Sequence, residues 1–128
     1  MTISNSIIRI VDDEAVVRKA LKFLLESEGW TVEAYEKGSE FLVEDRPSLI
    51  GCLILDVAMP EMNGLELYHR LRERKYEVPV IFLTGHGDVD MAVQAMKDGA
   101  IDFIQKPINE ERLLSAVAKA VRYDETHR

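Results

Sequence analysis

Two stretches of this chain, Leu53-Ile54-Leu55 and Val80-Ile81-Phe82-Leu83, are short and wholly apolar. A strand with one face in water alternates polar and apolar residues, so unbroken runs of this kind belong to strands covered on both faces. Coverage on both faces demands helices above and below the sheet, and the rest of the chain provides them. Residues 7–11 (IIRIV), 31–35 (TVEAY), 51–56 (GCLILD), 78–84 (VPVIFLT) and 101–105 (IDFIQ) are strand-like.

Each strand pattern is followed by a helical one. Residues 14–29 place Val17, Leu21, Leu24 and Leu25 at helical spacing, with Gly29 as a C-terminal stop. Residues 38–45 form a short helix for which Ser39 is the expected cap. Residues 63–73 space Leu65, Tyr68 and Leu71 along a helix; 88–99 run from an Asp88 cap to Gly99; 109–122 form the last helix. Strands joined by helices imply crossover connections and a parallel sheet, hence a doubly wound α/β domain of five units. In such sheets ligands bind at the carboxyl ends of the strands, where the winding reverses.

The 128 residues suffice for one domain with its own core. The apolar runs are too short to span a membrane, and the opening MTISNSIIRIVDDE has no basic start leading into a long apolar stretch. The single cysteine, Cys52, lies inside an apolar run and reads as a core residue. These features place the expected location in the cytoplasm. A net charge of −7 argues against this chain gripping nucleic acid by itself.

At the predicted strand ends stand Asp12 and Asp13, then Asp56, Thr84 and Lys106. Each has an ordinary explanation alone. Asp12 or Asp13 can cap the next helix, Asp56 can open the turn toward Pro60, Thr84 suits a strand and Lys106 a solvated loop. Together they do not, because crowded carboxylates repel unless a cation holds them or one stays protonated. Oxygen ligands with no accompanying His or Cys set suit a hard ion, Mg²⁺ rather than zinc. His69 and His127 read as solvated surface residues, and His86 lies nearer the site without making a ligand set. Such a group can do phosphoryl chemistry, with Asp56 as nucleophile, Lys106 neutralising charge on the phosphoryl oxygens and Thr84 donating a hydrogen bond. Neither a G-x-x-x-x-G-K-[ST] nor a G-x-G-x-x-G cradle occurs, so directly bound ATP is not the expected donor.

In order and spacing, IVDDE, LILDVAMPEMNG, VIFLTGHGD and GAIDFIQKP resemble the receiver domain of bacterial two-component response regulators, over residues 5–122. The resemblance implies a flavodoxin-like (βα)5 fold with strand order 2-1-3-4-5. It implies that Asp56 is the phosphoacceptor, that Asp13 binds Mg²⁺ directly and Asp12 through water, and that the Ala58 carbonyl is a further ligand. Thr84 and Lys106 would contact the phosphoryl oxygens, Lys106–Pro107 would be a cis peptide, and Phe103 would be the aromatic that moves with Thr84. It further implies a sensor histidine kinase as phosphoryl donor, with a remodelled face of fourth helix, fifth strand and fifth helix that recruits a partner or a second copy as a homodimer. The wording of residues 83–107 is most similar to the FixJ-type branch, which implies a C-terminal DNA-binding output domain in a longer parent. The OmpR-type branch carries an arginine on its dimer face where this chain has Ala116. Residues 123–128 are expected to begin a linker or tail.

Other classes fit less well. A haloacid-dehalogenase-type phosphatase needs a second Asp two residues after the nucleophile, where this chain has Ala58. A flavin binder needs a Ser/Thr-rich phosphate loop after the first strand, whereas Asp12-Asp13-Glu14 repels phosphate unless a metal intervenes. A stand-alone receiver, or a receiver-shaped scaffold that is never phosphorylated, stays open on the sequence.

Overall fold

The computed structural model describes residues 6–85 and 88–128, so His86 lies outside the described residues. Five parallel strands, β1 (Ile7–Val11), β2 (Thr31–Tyr35), β3 (Gly51–Asp56), β4 (Val80–Thr84) and β5 (Asp102–Gln105), form one sheet in the order β2-β1-β3-β4-β5. Between them run α1 (Ala15–Ser27), α2 (Gly38–Glu44), α3 (Gly64–Glu73) and α4 (Val89–Lys97), and α5 (Glu110–His127) closes the chain. This is the flavodoxin-like (βα)5 architecture. The winding reverses between β1 and β3, which opens a crevice at their carboxyl ends.

The core has two halves, one on each face of the sheet. On one face Leu21 and Leu25 of α1 and Leu113, Val117 and Val121 of α5 pack against Ile8, Ile10, Cys52, Ile54 and Ile81. On the other, Phe41 of α2, Leu67 and Leu71 of α3 and Ala95 of α4 cover Val11, Leu53, Leu55 and Phe82. Every residue of β1, β3 and β4 is buried, which explains why the runs in β3 and β4 have no alternation. Cys52 is fully buried, and burial pushes its thiol up to about 12, so it is an inert core residue.

Several local details differ from expectation. Ser39 does not cap α2; the cap position is Lys37, with no side-chain bond. Asp88 does stand at the cap of α4, but its carboxylate accepts from the Gly85 amide at 3.3 Å instead of from the helix. Asn63 and Glu66 form a reciprocal capping box at α3, each side chain satisfying an amide that the first turn leaves unpaired. The residues read as a tail continue α5 without a break to His127. Asp124 is the cause: buried, it accepts from the Gly51 amide at 3.0 Å and from Arg128, tying the last turn to the start of β3. Ala116 packs in the core against the sheet, so that position carries no exposed dimer contact.

Arg9, in the middle of β1, is fully buried. A buried guanidinium must find partners for its donors. It bonds Asp45 Oδ1 at 2.8 Å and the carbonyls of Arg46 and Leu49, both at 2.8 Å. Tyr76 donates its hydroxyl to the other oxygen of Asp45 at 2.8 Å. This cluster lies beyond α2 and pins the loop that leads into β3.

Candidate functional site

Strand register places the acidic groups side by side. Val11 pairs with Leu55 and Leu83 with Asp56, so Asp12 and Asp56 leave neighbouring strands at one level, with Thr84 one residue further along β4. Thr84 pairs with Gln105, and its carbonyl accepts from the Lys106 amide at 2.7 Å, which brings β5 to the same edge. The Lys106–Pro107 peptide is cis. Asp12 and Asp56 are buried and Asp13 is half-buried; one oxygen from each lies within 4.8 Å of the others.

Among the described residues one ammonium serves this group. Lys106 Nζ lies 3.4 Å from Asp12 Oδ2, 3.5 Å from Asp56 Oδ2 and 3.2 Å from Glu14 Oε1. Burial and then the charge of Asp12 push Asp56 up to about 6, against the opposing pull of Lys106 and the Ala58 amide, which donates to Asp56 Oδ1 at 3.2 Å. Burial likewise raises Asp12, although the Glu14 amide donates to it at 2.9 Å. Burial disfavours the ammonium of Lys106, yet Asp12, Asp56 and Glu14 outweigh it and hold the lysine above its ordinary value. A single lysine therefore leaves the carboxylates undercompensated. That deficit, in an all-oxygen donor set at a crevice, fits a hard divalent cation such as Mg²⁺.

Thr84 is buried, and its Oγ1 has no hydrogen-bond partner among the described residues. A buried hydroxyl left unpaired costs about 1–3 kcal/mol, so this one is free to donate to a group that reaches it. Ala58 is exposed beside the group, and Phe103 is half-buried on β5 next to Phe82. His69 is exposed on α3 and pairs with Asp98 at 3.2 Å, and His127 stacks on Tyr123 at 3.8 Å; neither approaches the acidic cluster. Two functional neighbours have only faint signs in the sequence: Glu14, the partner of Lys106, shows only as the third carboxylate of Asp12-Asp13-Glu14, and Arg9 only as a lone charge inside a run of β-branched residues.

Residues 8–118 match the description of the response regulator receiver domain. The chain belongs to that family. Among relatives, the response regulator protein TodT of Pseudomonas putida is 48% identical over 117 residues, covering 91% of this chain and 52% of TodT. The transcriptional regulatory protein FixJ of Bradyrhizobium diazoefficiens is 41% identical over 119 residues, covering 92% of this chain and 58% of FixJ. The solved structure of response regulator StyR superposes with a TM-score of 0.92 at 41% identity, over 98% of this chain and 63% of that one. The receiver domain thus spans about half the length of the curated relatives it matches. It is a regulatory domain of the two-component type, on the FixJ side of the family, and no helix among its described residues is long and apolar enough to cross a membrane.

Proposed function

We propose that this receiver domain is a phosphorylation-dependent switch whose phosphoacceptor is Asp56. The observation that carries the reading is the convergence on one crevice of the Asp56 carboxylate, the Lys106 ammonium 3.5 Å away and the unpartnered Thr84 hydroxyl. An Asp56 oxygen attacks the phosphorus of a phosphohistidine on a sensor histidine kinase. The new O–P bond forms as the P–N bond breaks, and the imidazole leaves with the electron pair. Above about pH 6 Asp56 is ionised and needs no general base to make it a nucleophile.

Asp12, Asp13, Asp56 and the Ala58 carbonyl would hold Mg²⁺, which when bound supplies positive charge against the phosphoryl oxygens. Lys106 pairs with a phosphoryl oxygen and Thr84 donates its hydroxyl to another. The transferred group adds nearly two negative charges. Thr84 moves to meet it, Phe103 follows on the adjoining strand, and the α4-β5-α5 face changes. Val89, Val93 and Met96 of α4 expose apolar surface there, consistent with a contact between two copies or with an output domain. The name of the FixJ relative, a transcriptional regulatory protein, and the roughly half of each relative's length that lies outside the match, support a DNA-binding output domain in a longer parent, so the activity regulated is transcription.

The test is incubation with acetyl phosphate, with and without Mg²⁺, followed by intact-mass measurement. Wild type should gain one phosphoryl group only with Mg²⁺, and Asp56→Asn should gain none. Equal labelling of the variant defeats the proposal.

A further inference from the structure

Of the three carboxylates around Lys106, the nearest belongs to Glu14, which the proposed reaction does not use. Its backbone is fixed at the start of α1: the amide donates to Asp12 Oδ1 at 2.9 Å and the carbonyl accepts from the Arg18 amide at 3.0 Å. Its side chain is 61% exposed and reaches back over the crevice to the lysine. The contact adds a third carboxylate to the two that already hold Lys106, and a phosphoryl group on Asp56 would compete with it for the ammonium.

We propose that Glu14 is a positioning residue that sets the balance between cation and phosphoryl binding by competing for Lys106. The inference rests on the phosphoryl-switch reading above. When phosphorus bonds to Asp56 and the leaving group departs with its electron pair, the ammonium exchanges the Glu14 oxygen for a phosphoryl oxygen, and no proton moves. Without the Glu14 charge, Lys106 is left to Asp12 and Asp56. That weakens their hold on a cation, while an incoming anion meets one negative charge fewer and a lysine with one carboxylate fewer to give up. The two ligands should therefore respond in opposite directions, which damage to the fold would not produce.

The test compares wild type with Glu14→Gln and Glu14→Asp, titrating first Mg²⁺ and then beryllofluoride in saturating Mg²⁺ by calorimetry at one fixed pH. For an exposed ion pair the expected changes are about two- to five-fold. Glu14→Gln should bind Mg²⁺ more weakly and beryllofluoride more tightly, and should take phosphate from acetyl phosphate faster by a similar factor. Glu14→Asp, which keeps the charge, should recover the Mg²⁺ affinity. Unchanged constants, or both constants shifted the same way, overturn the role of Glu14 while wild-type phosphorylation leaves the switch intact. Wild type that takes no phosphate overturns both.

Discussion

Gly64 stands so close to Asp56 that a Cβ built on it falls 2.2 Å from the Asp56 carbonyl oxygen. No side chain fits there, and the Gly64 amide is bonded to the Val57 carbonyl at 2.8 Å, so α3 begins pressed against the end of β3. Gly64→Ala must push the Asp56 backbone or the helix start aside. Overpacking of this kind costs about 1–3 kcal/mol. Urea denaturation should show that loss, and labelling by acetyl phosphate should slow in the same variant, because the nucleophile moves with its backbone.

Asp56 makes a metal-free domain pH-sensitive in a direction opposite to most carboxylates. Its folded value, about 6, lies above the ordinary carboxylate range, so the folded state binds the proton more tightly than the unfolded chain. The associated stability is fully present in acid below the unfolded value and is lost as pH rises through about 6. In EDTA at pH 8, Asp56→Asn should be more stable than wild type by about 1–3 kcal/mol. Thermal melts should show the advantage shrinking through pH 6 and vanishing toward pH 4. Adding Mg²⁺ should narrow it at pH 8 by stabilising wild type.

The Thr84 hydroxyl is a cost in the resting fold and a gain in the phosphorylated one. Thr84→Val keeps the shape and removes the unpaired group, so resting stability should rise by about 1 kcal/mol. Beryllofluoride affinity should fall about ten-fold, the equivalent of one hydrogen bond to a charged group. Calorimetry and denaturation on the same preparation check both signs.

Arg9 and Asp45 form a buried pair at 2.8 Å, with side-chain exposures of 0% and 6%. Asp45→Ala leaves the guanidinium without its counter-charge and should cost about 3–5 kcal/mol. Arg9→Met combined with Asp45→Leu should recover part of that loss, because no charge is left buried, although the Tyr76 hydroxyl and the Arg46 and Leu49 carbonyls lose their partners. Urea denaturation of the single and double variants decides it.

How much of this was legible in the sequence follows from where the determining contacts lie. β3 and β4 declare themselves because burial on both faces excludes polar residues. Asp12, Asp56, Thr84 and Lys106 follow because a parallel sheet brings every strand end to one edge. The extent of α5 was not legible, since Asp124 holds its last turn through the Gly51 amide, 73 positions away. Ser39 misled because a good capping residue two positions past the cap, at Lys37, caps nothing. Arg9 looked like a stray charge in a strand, as its partners Asp45, Arg46 and Leu49 meet it only when the chain is folded. Glu14 was visible as a third acid, but not as the neighbour of a lysine 92 residues on.

The most direct measurement locates the phosphoryl group itself. After incubation with acetyl phosphate and Mg²⁺, the protein is reduced with borohydride, which converts an aspartyl phosphate to homoserine, then digested and sequenced by mass spectrometry. Homoserine at position 56, and at no other acidic position, is the predicted result. Modification at Asp12, Asp13 or Glu14 with Asp56 intact would contradict the assignment of the nucleophile.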